Sequence, residues 1–246
     1  MPGKDELRAQ WAAFAAEWIA RMDEKRDDAR EGLLDDWMLG LCGDVRGLSA
    51  IDLGCGEGRF CRMLAARGAT ALGVDLQPAF LERARTLGGP GEEYRLCDIE
   101  TLEGVPDASF DLAISYITLV DVEDVEAAAR QAHRVLRPRG RLLVANLAPM
   151  ATARGFWLRD EEKRKLHWIL DDYAQEGPRS FPFPSGHVVT GFHRTMGTML
   201  NTFLGTGFTL RALHEPTPTP EQLRRAPGND DLFRVPIYVI YDFAKA

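Results

Sequence analysis

The stretch Ala50 to Phe60 reads AIDLGCGEGRF, an apolar run that closes on Asp52 and then sets glycine at 54, 56 and 58. Glycines at this density let the backbone approach a ligand closely before a helix begins. A dinucleotide fingerprint, GxGxxG, would want glycine at 59, where Arg59 stands. Acid sits just before and inside the loop at Asp52 and Glu57, which repels a pyrophosphate and suits an ammonium group. TALGVDLQ ends in Asp75, about twenty residues past the loop, where a carboxylate can accept both hydroxyls of a ribose. Asp98 closes the next apolar segment beside Cys97 and Ile99, and a carboxylate next to an apolar side chain suits an adenine. Together the loop, Asp75 and Asp98 describe a ligand with an adenine, a ribose and a positively charged amino-acid tail.

Such groups converge only if they stand at the carboxyl ends of parallel strands. From Leu48 onward short apolar strands alternate with helical segments, the pattern of βαβ units. Strands are expected at 48–53, 70–75, 93–98, 110–116 and 140–147, with helices at 59–67, 78–87 and 122–136. Gly68 marks a helix end, Pro78 a first turn, and Pro138 with Gly140 the entry to the fifth strand. Upstream, Trp11, Phe14, Ala15, Trp18, Ile19 and Met22 recur at three and four, one face of an amphipathic helix. The charged stretch Asp23 to Gly32 separates it from a second helical run, LLDDWMLGL. After Ala148 the rhythm breaks into a charged stretch expected to be helical, Arg159 to Tyr173, and a Pro/Phe turn segment, EGPRSFPFPSGH. A helix at 194–206, a strand FTLRALHE, a Pro/Thr loop and a last strand near 235–243 follow. The expected organisation is one domain over 1–246: a helical cap (1–44), a ligand-binding core (45–148), an insertion (149–193) and a closing helix with strands (194–246).

The whole chain holds 246 residues, 45% of them apolar, enough for one substantial core. Thirty basic against 37 acidic side chains give a net charge of −7, the wrong sign for a nucleic-acid surface. Cysteines at 42, 55, 61 and 97 show neither disulfide nor zinc spacing, so no metal site is expected. The N-terminus lacks the order of a secretory signal, and no apolar run approaches the roughly 18 residues of a membrane span. A cytoplasmic protein without membrane partner is the expectation; a homo-oligomer is left open.

The motifs AIDLGCGEGRF, LGVDLQPAFLERAR, YRLCDIETL, FDLAISYITLVDVED and AHRVLRPRGRLLVANL, in this order, resemble those of class I S-adenosylmethionine-dependent methyltransferases. The tail FHRTMGTMLNTFLGTGFTLRALHEP resembles the last helix and strands of small-molecule, natural-product members. The resemblance implies an α/β, Rossmann-like fold with a seven-stranded, mostly parallel sheet whose last strand is antiparallel. By position it implies that Gly54, Cys55 and Gly56 bracket the methionine moiety of the cofactor, with Asp75 on its ribose. Leu76 would cover an adenine face, and Asp98 with Ile99 its edge. Ser115 and Tyr116 would face the sulfonium and the acceptor, although Tyr116 could equally be core. Asp52 either meets the cofactor or only caps the loop.

The fourth-strand motif reads SYIT rather than an (Asn/Asp)-Pro-Pro-aromatic box, which disfavours methylation of nucleobase or glutamine amines. A small-molecule acceptor remains, on N or O and in secondary metabolism. His193 and His187 are candidate bases for it, with His167 behind them, the alternative being a histidine that bonds a turn carbonyl. The helix carrying Trp11, Phe14 and Trp18 either lies over the cofactor as a lid or packs as core. Arg30 or Arg59 could meet the cofactor carboxylate. Two rivals stand beside this reading: a cofactor-bound regulator or scaffold without catalysis, and a dinucleotide oxidoreductase, which Arg59 and Glu57 disfavour.

Overall fold

A computed structural model of the chain describes residues 3–24 and 30–246. The charged link expected over Asp23 to Gly32 falls partly outside the described residues. An alanine-rich run forms α1 (Lys4–Asp23), with Asp5 and Glu6 in its first turn and Arg21 in its last, each favourably placed on the helix dipole. A π turn (Arg30–Leu34) leads into α2 (Asp35–Cys42). The alternating part follows as β1 (Ser49–Leu53), α3 (Arg59–Ala65), β2 (Thr70–Asp75), α4 (Pro78–Leu87), β3 (Glu92–Leu96) and β4 (Phe110–Tyr116). A 3-10 turn (Leu119–Asp121) separates β4 from α5 (Val125–Val135), whose first turn is capped by Asp124 accepting from the Ala127 N–H at 2.8 Å. β5 (Leu136–Leu147) and the short α6 (Pro149–Thr152) end the core.

Seven strands pair in the order β10-β11-β5-β4-β1-β2-β3, where β10 is Phe208–His214 and β11 is Tyr238–Lys245. Five pair in parallel and β11 runs antiparallel to both β5 and β10, as the resemblance implied. Both faces of the sheet are covered, which is why β1, β4 and β5 read as nearly continuous apolar runs. One face packs Ile51, Val74 and Val144 against Ala129 of α5 and Phe203 of α7 (Met196–Gly205). The other packs Ile114 and Leu143 against Met38 of α2 and Leu64 of α3. β1 lies at the centre, with Asp52 opposite Gly73 of β2 and Ile114 of β4. Chain order reverses at this strand, so a crevice opens at its carboxyl end.

β5 starts at Leu136, before the expected turn. Pro138 and Gly140 form a bulge around Arg139 at φ 67°, and pairing with β4 jumps from Phe110↔Leu136 to Leu112↔Arg141. The insertion corrects the sequence reading twice. Arg159 to Tyr173 is not helical: β6 (Arg154–Arg159) and β7 (Lys165–Asp171) form an antiparallel hairpin in which Trp157 faces Trp168. The charged residues between them make its turn, and large apolar and aromatic side chains on both strands favour a pleated pair. The Pro/Phe segment is also a strand, β8 (Gly177–Pro182), paired with β9 (Val188–His193). β8 has only this one partner, and an edge strand tolerates Pro178 and Pro182, which have no N–H to donate. In the Pro/Thr loop a short helix, α8 (Pro220–Arg225), is held by a capping box between Thr219 and Gln222.

Candidate functional site

The residues following β1, β2, β3 and β4 line one cleft, roofed by α1, with a volume of about 1260 Å³ counted to its open mouth. Its floor is the glycine loop. Gly54 stands at φ 79°, and a Cβ there would lie 2.1 Å from the Thr118 methyl, so only glycine fits. Thr118 donates to the Gly54 carbonyl at 3.1 Å, while the N–H groups of Gly54 and Cys55 donate to the Val74 carbonyl at 2.8 and 2.9 Å. Asp75 accepts from the Gly56 N–H on one oxygen and the Gln77 N–H on the other, both at 2.8 Å. Burial nevertheless holds its carboxyl above the usual range, outweighing those donors.

Asp52 is 2% exposed; its Oδ2 takes the Cys61 thiol at 3.6 Å, and its Oδ1 has no partner among the described residues. Burial pushes this carboxyl up to about 7. An orphaned carboxylate oxygen in a cleft wall is what a cationic ligand group would satisfy.

At the β3 end, Asp98 accepts from the Glu100 N–H at 2.9 Å. Lys4 and Arg8 reach its Oδ2 at 3.6 and 3.8 Å, Lys4 also pairs with Glu100, and the Gln77 amide donates to the Arg8 carbonyl at 3.0 Å. The first turns of α1 are thereby tied across the strand ends, with Trp11 edge-on to Phe80 at 6.2 Å. At the β4 end, the Arg30 guanidinium lies over Trp18 at 5.3 Å and Tyr116 at 6.0 Å. Tyr116 donates to Asp35 at 2.9 Å and Arg59 pairs with the same carboxylate. Burial and the Asp35 charge push the Tyr116 hydroxyl well above its usual range, so it keeps its proton. Ile117 follows at φ 55°, a β-branched residue in the left-handed region, which costs about 1–3 kcal/mol and turns the chain across the glycine loop.

Every position the sequence assigned to the cofactor lines this cleft except Ser115, which is buried in β4 with its hydroxyl unpaired among the described residues. Tyr116 lines it; His193 and His187 do not. His193 is fully buried, bonded through Nδ1 to Thr152 at 2.7 Å and through Nε2 to the Tyr173 carbonyl at 2.8 Å, the carbonyl-bonding alternative. His187 pairs with Glu17 at 3.0 Å on the outer side of α1, and His167 is exposed on β7. No residue of 149–193 is among the described residues lining the cleft. The insertion instead packs on α1 from outside, with Phe183 4.3 Å from a fully buried Phe14. The α1 aromatics therefore divide: Trp11 and Trp18 face the cleft, and Phe14 faces the insertion.

Sequence reasoning missed Lys4, Arg8, Thr118, Asp121 and Asp35. Lys4 and Arg8 share the helix face of Trp11 and Trp18, at offsets of 4, 7 and 14 from Lys4, so their placement was readable. Asp35 opens α2 and Asp121 ends a 3-10 turn, and no periodicity shows that the first reaches Tyr116 or that the second lines the cleft. Among the described residues no cluster of three metal-ligating side chains occurs, and no helix is long and apolar enough to cross a membrane.

A methyltransferase-domain family profile matches residues 51–144. An S-adenosylmethionine-dependent methyltransferase of Mesorhizobium loti has a solved structure that is 34% identical, covers 85% of this chain and 96% of its own, and superposes with a TM-score of 0.78. The chain belongs to the S-adenosylmethionine-dependent methyltransferases. S-adenosylmethionine is accordingly the methyl donor of this enzyme. Among curated relatives, the malonyl-[acyl-carrier protein] O-methyltransferase of Serratia marcescens is 36% identical over 45% of this chain and 43% of its own. The ubiquinone biosynthesis O-methyltransferase of Idiomarina loihiensis is 31% identical over 56% and 59%. This methyltransferase thus matches only about half the length of those named enzymes.

Proposed function

We propose that this methyltransferase moves the methyl group to an oxygen or nitrogen of a small molecule by in-line displacement. The bound donor supplies an electrophilic methyl on a cationic sulfur. The orphaned Asp52 oxygen and the Gly54–Cys55–Gly56 backbone would hold its amino-acid tail, and Arg30, close enough to Asp52 to lower its pKa, would meet the tail's carboxylate. Asp75 would take the ribose, Leu76 and Ile99 the faces of the adenine, and Asp98 its edge. Trp11 and Trp18 close the cleft from above and keep water out.

The observation that carries the reading is that Phe60 and Tyr116 also line the cleft, two aromatic faces to which the donor assignments give no role. An acceptor seated there would meet rigid faces: Tyr116 is pinned by Asp35 and stacks edge-on to Phe60 at 5.2 Å. Alignment of nucleophile, methyl and sulfur supplies most of the rate gain in such a displacement. No histidine in the cleft is required for an acceptor that is already an anion or a neutral amine. The two curated relatives are both named O-methyltransferases, which favours oxygen, and the net charge of −7 favours a small molecule over nucleic acid. A secondary metabolite falls within this class, as do acceptors of the kinds those names indicate.

Incubation with methyl-labelled donor and a panel of phenols, carboxylic acids, amines and sugars tests the proposal. Labelled product with a carboxylic acid or phenol is expected. Tight donor binding with no transfer to any member would instead leave a binding-only regulator.

A further inference from the structure

We propose that Asp121 is the residue by which the cleft distinguishes the cationic donor from its neutral, demethylated product. The inference rests on the donor assignment above and adds to it a residue for charge.

Asp121 ends the 3-10 turn that follows β4, and the turn is held from several sides. Thr118 is bonded to the Gly54 carbonyl, and Arg194 donates to the carbonyls of Leu119, Val122 and Glu123. Gly191 of β9 packs so closely that a Cβ there would stand 3.0 Å from the Val120 carbonyl. These contacts fix the backbone of the turn and leave the Asp121 carboxyl facing the cleft.

The other carboxyls of the cleft are mostly engaged. Asp75 holds two backbone N–H groups, Asp98 a backbone N–H and two cations, Glu57 pairs with Arg62, and Glu100 with Lys4. The Asp121 carboxyl has no hydrogen bond or ion pair to any described residue. It is half-buried in the cleft wall and lies close enough to Asp75 to feel that charge; desolvation first, and the neighbouring charge second, push it up to about 8. The remaining charges that line this part of the cleft are Glu123 beside it and, on α1, Lys4 and Arg8, which are committed to Asp98 and Glu100; Arg194 stands behind the turn. No cation among the described residues pairs with Asp121.

The sulfur of the donor is bonded to the 5′ carbon of its ribose. A carboxyl that both neighbours the acid taking the ribose and stands on the turn after β4, beside Tyr116 and Thr118 in the cleft wall, would face that sulfur. In the empty cleft at neutral pH Asp121 holds a proton. A sulfonium arriving beside it releases that proton to solvent and leaves an ion pair. Methyl transfer removes the positive charge from sulfur, Asp121 takes a proton back, and the attraction that held the donor is absent for the product.

Calorimetric titration with S-adenosylmethionine and with S-adenosylhomocysteine between pH 6 and 8, in two buffers of different ionisation enthalpy, tests this. Both ligands carry the same amino-acid tail, so titration of Asp52 affects both, and comparison with the Asp121→Asn variant cancels the ligands' own titrations. Wild-type protein is expected to release more protons with the donor than with the product, and to favour the donor more strongly as pH rises. An opposite charge at short range moves a carboxyl by about 1–3 pH units, so Asp121→Asn should weaken the donor about tenfold at pH 7 and leave the product within about twofold. The variant should also lose the difference in proton release, and Asp121→Glu should restore part of it. An unchanged donor-to-product ratio in Asp121→Asn overturns the proposal. So does equal weakening of both ligands, which would make Asp121 a ribose or turn residue. Wild-type protein that binds neither ligand overturns the donor assignment itself.

Discussion

The carboxyl edge of the sheet and the two hairpins of residues 154–193 are built on opposite terms. At the edge, the groups that face the cleft are tied to the sheet ends: Asp75 by two backbone N–H groups, Asp98 by that of Glu100, and the Gly54 backbone by the Val74 carbonyl and the Thr118 hydroxyl. In the first hairpin, Phe156 is 59% exposed, and Trp157 is held by a single bond to Asp231 at 3.1 Å and by Arg234 over its ring. The strands there have one partner each, whereas β1 has two. The proposed donor site is thus set by the scaffold, while the insertion bears on the cleft from behind, through α1 and through Gly191 against the turn that carries Asp121.

That contrast can be broken at several points. Asp75→Ala should abolish donor binding in a calorimetric titration, a loss beyond about a hundredfold, because it removes the ribose acceptor and the clasp on Gly56 together. Gly54→Val should approach the same loss, since a side chain there must displace Thr118; retained affinity would mean that the loop is less fixed than its geometry indicates. Asp52→Asn has two expected signs. A carboxyl whose folded pKa is raised to about 7 binds a proton that the unfolded chain has lost, so it stabilises below the unfolded value and that stability is lost as pH rises through 7. The variant should therefore melt higher than wild type at pH 8 without ligand and no higher at pH 4, while binding the donor about tenfold more weakly. A lower melting temperature at pH 8 would show that Asp52 is satisfied in the free protein.

Smaller effects belong to the roof and the hairpins. Trp18→Ala should weaken donor or acceptor several-fold, and unchanged affinity with wild-type kinetics would return this residue to packing. His193→Ala should lower the melting temperature by roughly 5 °C, since it leaves two buried partners unpaired in a chain of this size, yet leave donor affinity within about twofold. A loss of turnover at matched stability would bring His193 back as a catalytic group.

Most of the cleft was legible because strand ends and a glycine loop are written in short, contiguous motifs, and the parallel order of β1 to β4 places them side by side. Asp75 and Asp98 needed only their position at the end of an apolar run. Tyr116 was legible as a position and not as chemistry, since nothing local announces that Asp35, 81 residues away, accepts a hydrogen bond from its hydroxyl. The histidines misled because a buried imidazole bonded to a carbonyl and a catalytic one look alike in one dimension. The hairpins were misread because charge-rich segments such as Arg159 to Tyr173 suit a helix surface and a hairpin turn equally, and pairing between distant strands decided the matter.

Phe14 has its ring fully buried between Phe183 and His187, flanked on the same helix face by Trp11 and Trp18, which turn toward the cleft. Burying such a ring contributes roughly 1.5–3 kcal/mol, enough to fix how the helix sits. The roof of the catalytic chamber is thus clamped by a hairpin that, among the described residues, lines none of the cleft itself. Exchanging the second hairpin between relatives would therefore retune which acceptors enter while every residue around the donor stays the same.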